Sequence, residues 1–230
     1  MASSAGLVLW GNVVVPRLPQ GPVARAAANV AGTAFFVGAA RRRGYGWREL
    51  GLSPGTWTAG ARLGGTAAGA VAGAFALLLA TPPGREVLAA GRGDQVAAWR
   101  PTALRAGLTI PVGTVLAEEI AFRGVLQAMA ERRLAPRTAL SWCAGTFSLW
   151  HVAGRSTGGP ADLAVTGLAG VVFGLMRRRS GTVVAPALLH LATNSGGLVV
   201  ATIAGRRAKA RSADYAGGIA STGRASTTVS

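Results

Sequence analysis

The chain has 230 residues, of which 50% are hydrophobic and only 14% charged, against about 25% charged in an ordinary soluble domain. Its net charge is +16, and because Lys209 is the one lysine among 24 basic residues, the other 23 are arginine. A nucleic-acid binder would lay its arginines along one soluble face with aromatics between them. Here they gather at the ends of uncharged stretches instead: Arg41, Arg42 and Arg43; Arg132 and Arg133; Arg177, Arg178 and Arg179; Arg206, Arg207 and Lys209. Charge in those places anchors membrane spans at the headgroups. The partner it implies is the lipid bilayer, not nucleic acid.

In chain order, uncharged segments lie at 1–16, 26–40, 63–80, 106–117, 138–154, 163–176 and 180–205. Those at 63–80 and 180–205 reach the length of about 18 apolar residues expected of a spanning helix. The others reach it only when flanking residues, including a snorkelling Arg25, Arg62 or Arg105, are counted. The reading is an all-α, polytopic transmembrane bundle of six to eight helices, near 3–16, 22–40, 57–80, 102–131, 137–154, 160–177 and 182–204, with a break near Ser195-Gly196-Gly197 in the last. The opening MASSAGLVLW lacks the basic region of a secretory signal and reads as mature protein. Gly65, Gly69 and Gly73 recur every fourth residue, a pattern that lets helix backbones approach closely. Residues 41–57 form a turn-rich connection and 81–101, with Pro82, Pro83 and Gly84, the longest internal loop. Cys143, the single cysteine, forms no internal disulfide and reads as a small buried thiol.

These segments divide the chain into N-terminal helices and loops at 1–99, a transmembrane region at 100–205 and a disordered tail at 206–230, basic at first and then rich in Ser and Thr. The arginines after 40, 131 and 176 mark one cytoplasmic rim as solvated anchors. The basic start of the tail joins that rim only if 180–205 folds back on itself; a single span puts it opposite.

Three polar clusters interrupt the apolar segments: Glu118-Glu119-Ile120-Ala121-Phe122-Arg123, Phe147-Ser148-Leu149-Trp150-His151 and His190-Leu191-Ala192-Thr193-Asn194. Ionisable groups at membrane depth cost several kcal/mol unless paired or facing water, so they are functional candidates by default. Both histidines of the chain are among them. Glu119 and Arg123 are four apart and share a helical face, as do Phe147 with His151 and His190 with Asn194; Glu118 turns about 100° away and can face a cavity. A carboxylate, two imidazoles and an amide supply the base and polar donors that amide hydrolysis needs.

The stretches EEIAFRG, FSLWH and HLATN resemble the EExxxR, FxxxH and HxxxN/D motifs of the CPBP family of CAAX prenyl endoproteases and Abi bacteriocin-immunity proteins, in the same order, and WRELGLSP (47–54) resembles a loop upstream in bacterial members. The resemblance covers about residues 100–200. It implies a CAAX-protease-like bundle and an intramembrane endopeptidase in which Glu118 activates a water. His151, His190 and Asn194 would orient that water and stabilise the oxyanion, with Glu119, Arg123 and Phe147 supporting. The expected partner is a membrane-associated peptide or protein, prenylated-type or bacteriocin-like, met in a bacterial plasma membrane and entering past Arg132 and Arg133. Glu118, His151 and His190 could instead ligate zinc; the absence of HExxH favours the metal-free route. Rival readings are a non-catalytic immunity or partner-binding member of the fold and a small proton-coupled transporter.

Overall fold

The computed structural model describes residues 2–18, 21–90, 98–152 and 159–225, without the side chains of 2, 3 and 213–225. Among them are eight helices and no strand: α1 (2–17), α2 (Pro22–Arg42), α3 (Trp57–Ala80), α4 (Pro82–Ala90), α5 (99–131), α6 (Pro136–Trp150), α7 (Pro160–Ser180) and α8 (184–225). Pro22–Arg42, Pro54–Ala80, Pro160–Ser180 and Val184–Ser212 are long and apolar enough to cross a membrane. The protein is an all-α integral membrane bundle.

Its core lies where α1, α5, α6 and α7 meet, built from Leu7, Phe122, Leu126, Cys143, Phe147 and Phe173. Beside it α3 runs parallel to α8, and two glycines set how closely. A Cβ on Gly64 would meet the Ala185 carbonyl oxygen at 2.6 Å, and one on Gly60 would meet the Thr182 methyl at 2.3 Å. The close-packing stripe is therefore one register earlier than expected: Gly65, Gly69 and Gly73 have nothing within 4 Å of the corresponding position. Either four-residue stripe satisfies the spacing rule, and which one meets a neighbour depends on helix placement.

The connection after α2 is a strut joining one end of the bundle. Gly51 takes a positive φ of 66°, and the Arg177 guanidinium lies where its Cβ would be. Arg177 donates to the Glu49 carbonyl at 2.7 Å, while Val183 N–H donates to the Gly51 carbonyl at 3.1 Å. Arg132 donates twice to the Glu49 carboxylate, at 2.8 and 2.7 Å, and stacks 3.6 Å over the Tyr45 ring. Two expectations change here. Arg177 is buried in the strut, not a solvated anchor, and Arg132 is committed to Glu49, not open at the mouth of a cavity.

Three further differences concern the segments around the spans. Residues 82–90, expected as loop, form α4: Gly84 N–H donates to the Thr81 hydroxyl at 3.3 Å, so Thr81 is the N-cap and Pro82 occupies the first helical position, where its missing N–H costs nothing. α8 continues through Ser195-Gly196-Gly197 as a π-helical turn at Ala192–Gly196 instead of breaking. It stays helical to Ala225, so the tail expected to be disordered is helix through that residue, its first turns rich in the strong helix formers Ala, Arg and Lys; 226–230 lie outside the described residues. Because α7 and α8 form an antiparallel hairpin about Gly181, the Arg206–Arg207 cluster lies at the end opposite Arg177–Arg179. Both ends of the bundle are basic.

Two outcomes follow from this packing. Gly64→Val should destabilise the detergent-solubilised protein by about 1–3 kcal/mol through overpacking, while Gly69→Val leaves its thermal midpoint nearly unchanged; thermal unfolding of both decides the stripe. The Gly46 N–H and then Arg132 hold the Glu49 carboxyl below the ordinary carboxylate value. A depressed carboxylate stabilises above its unfolded value and loses that contribution as pH falls through the folded one. The midpoint gap between wild type and Glu49→Gln should therefore be constant near neutrality and close under strongly acid conditions.

Candidate active site

The helix carrying the two glutamates is widened on both sides of them. π-helical turns at Pro111–Leu116 and Ile120–Leu126 bracket the α-helical turn Ala117–Glu119. Pro111 has no N–H to donate, which breaks the regular ladder locally, and such π turns recur at functional sites. Donors from α2 fasten this stretch: Asn29 Nδ2 donates to the Gly113 carbonyl at 2.9 Å and Thr33 Oγ1 to the Ala117 carbonyl at 3.0 Å. The sequence reading passed over Asn29 and Thr33. Their signal was present, two polar residues four apart on one face of the otherwise apolar 26–40 segment.

Glu119 and Arg123 are 0% and 3% exposed and pair at 3.4 Å. The Arg123 guanidinium sits 4.0 Å over the Phe147 ring and 5.0 Å over that of Phe173, so the cation is compensated by a carboxylate and aromatic faces in place of water. Phe147 meets other groups as well: its ring is edge-on to His151 at 4.6 Å and to His190 at 6.4 Å. The Phe of the second cluster thus spaces the two imidazoles.

Glu119 does more than pair. Its Oε1 lies 2.8 Å from His190 Nδ1, and Asn194 Nδ2 lies 3.0 Å from His190 Nε2. With the Glu119 carboxylate paired to Arg123, Nδ1–H donates to it and Nε2 accepts from the amide. This sets the tautomer of His190 and leaves the second Nδ2 hydrogen of Asn194 free. The other histidine is fixed by its own helix, with Nδ1 2.8 Å from the Phe147 carbonyl. That bond assigns the proton to Nδ1 and turns Nε2 toward Glu118 Oε2, 3.7 Å away. The gap is too long for a direct hydrogen bond and suits two groups that share a water.

All seven sequence candidates, Glu118, Glu119, Arg123, Phe147, His151, His190 and Asn194, thus fall in one connected neighbourhood with two branches. Glu118 with His151 forms one; Arg123, Glu119, His190 and Asn194 form the other; Phe147 touches both. A cavity of about 520 Å³ between α6, α7 and α8 is lined by His151, His190 and Asn194 together with Val165, Leu168 and Leu189. Glu118 lines a separate small void facing α1 and α2.

Zinc does not fit this arrangement. Both ring nitrogens of His190 are engaged, so it has no lone pair to give, and no three acidic, His or Cys side chains among the described residues cluster as a ligand set. Glu118 and His151 alone fall short of the three protein ligands of a catalytic zinc.

The fold and these buried carboxylate–imidazole pairs define a helical membrane protein with a buried polar centre. Residues 100–196 match the family model described as Type II CAAX prenyl endopeptidase Rce1-like. All three motifs fall in that stretch; α1, α2, α3 and α4 precede it. No curated protein and no solved structure matches the chain.

Removing Arg123 would leave Glu119 a buried, uncompensated charge. Arg123→Leu should cost about 3–5 kcal/mol, visible as a large fall in thermal midpoint or folded yield. Arg123→Lys should recover only part of this, because an ammonium lacks the planar face that lies on Phe147.

Proposed function

We propose that the protein is an intramembrane endopeptidase in which Glu118 is the general base. The supporting observation is the juxtaposition of Glu118 and His151 at 3.7 Å beside an amide, Asn194, whose orientation is set by a histidine in turn set by a buried carboxylate. Glu118 takes a proton from a water shared with His151 as the water oxygen attacks the peptide carbonyl carbon. The free Nδ2–H of Asn194 donates to the oxyanion that forms, an interaction worth about 2.7–4 kcal/mol when such a donor is preorganised. As the C–N bond breaks, Glu118 returns the proton to the departing amine.

The cavity suggests the substrate. Val165 and Leu168 are each 66% exposed and lead from the outer face of α7 to His190 and Asn194. A peptide with an apolar or lipid-modified residue would enter sideways from the bilayer, burying that residue there while its backbone crosses the polar groups. A membrane-associated bacteriocin-like or prenylated-type peptide in a bacterial plasma membrane meets that description. An immunity or partner-binding role would not need His190 and Asn194 held in a single hydrogen-bonding arrangement.

In liposomes, cleavage of a quenched fluorescent peptide carrying a lipidated or apolar residue should fall about 10²–10⁴-fold in Glu118→Gln and survive exhaustive chelation. Full activity of Glu118→Gln would refute this role for Glu118. Loss on chelation with recovery on adding zinc would refute the metal-free route.

A further inference from the structure

Three buried polar side-chain atoms with no hydrogen-bond partner in the protein, Trp10 Nε1, Asn29 Oδ1 and Glu118 Oε2, belong to residues that line one void. This void, of about 10 Å³ between α1, α2, α5 and Trp150 of α6, is otherwise mostly apolar, with Leu7, Phe36 and Phe122 among its walls and Thr33, whose hydroxyl is spent on the Ala117 carbonyl, beside them. Its size is near the minimum that admits one water, and a buried water normally makes about three hydrogen bonds. The three groups match one water in kind as well as number. An indole N–H only donates, while a carboxylate and an amide oxygen only accept. Asn29 is oriented for this because its Nδ2 is spent on the Gly113 carbonyl, leaving Oδ1 as the unpaired atom.

We infer that α1 and α2 hold a resident water against Glu118: its oxygen accepts from Trp10 Nε1–H and its two hydrogens are donated to Asn29 Oδ1 and the Glu118 carboxylate. Trp10 and Asn29 are then positioning residues that act on Glu118 through this water. The site is distinct from the cavity beside His151, His190 and Asn194, which Glu118 does not line. It has its own approach, since Asn29 also lines a cavity of about 440 Å³ with Arg25, Arg105, Thr109 and Thr114 toward the end of the bundle where α2 begins. Gly32 makes room for the donor, because a Cβ there would lie 2.8 Å from Trp10 Nε1. The water site stands on geometry alone; only its role in hydrolysis rests on Glu118 being the base.

The test uses the full chain in lipid nanodiscs with ¹⁵N-labelled tryptophan. The Trp10 indole N–H, assigned by its disappearance in Trp10→Phe, should show magnetisation transfer from a long-lived water, and Gly32→Ala should abolish that transfer by displacing the indole. No transfer in the folded wild type would overturn the site, and this measurement does not depend on whether the protein cleaves anything. The role is read from kinetics: Trp10→Phe, which keeps an aromatic ring and removes the N–H, should lower kcat about tenfold at nearly constant KM, as misplacing a catalytic group does. Unchanged kcat, or a fall matched by an equal loss of folded protein, would overturn the positioning role even with the water present. A wild type that cleaves no peptide would count against the proposed function and leave the transfer measurement to decide the site.

Discussion

A guanidinium buried without water governs the arrangement of this site. Arg123 is 3% exposed, and only a fixed negative charge and polarisable ring faces can stand in for its hydration. Glu119 supplies the first, Phe147 and Phe173 the second. Each of those partners is thereby immobilised for a second task. Glu119, held by Arg123, meets Nδ1 of His190 and so sets which nitrogen carries the proton; His190 then sets which way Asn194 points. Phe147, pressed against the cation, presents its edge to both imidazoles. A charge expensive to bury thus converts three flexible side chains into a rigid array, the preorganisation that electrostatic catalysis requires.

The sequence foretold this centre well because membrane depth makes polarity conspicuous. Glu118, Glu119, His151, His190 and Asn194 stand out against apolar surroundings, and four-residue spacing paired them correctly within each helix. It did not foretell the pairing between helices. Glu119, read as support through Arg123, also touches His190 across 71 positions, and no local spacing encodes that contact. Elsewhere the signals were degenerate. The GxxxG pattern occurs in two overlapping registers on α3, and only the placement of α8 chose Gly60 and Gly64. Thr81-Pro82-Pro83-Gly84 reads as a loop by composition and as a capped helix start by position. The tail's small and polar residues gave no apolar stripe, yet α8 carries them as helix to Ala225, propagation from an existing helix being far easier than nucleation.

The stretch that matches the Rce1-like model holds the motif residues, whereas part of what constrains Glu118 comes from before it. Asn29 and Thr33 tie down the carbonyls on the approach to Glu118. Asn12 donates to the Leu149 carbonyl at 2.9 Å, two residues before His151, and Gly11 lets the Trp150 ring lie directly on α1. The first two helices therefore form part of the wall around Glu118 and His151. They account for the buried position of a carboxylate that the motif alone would leave at a bundle edge.

The widened turns of α5 carry a consequence for length as well as shape. A π turn spans one more residue than the α turn it replaces, so Pro111–Leu116 stores surplus chain within the helix just ahead of the glutamates. Deleting one residue there would let the turn relax to regular winding while the helix on either side keeps its phase, whereas deleting one from a regular α-helical stretch would rotate everything beyond it by about 100°. The π turn is thus the part of α5 where chain length can change while Glu118 keeps its outlook, with every motif letter intact.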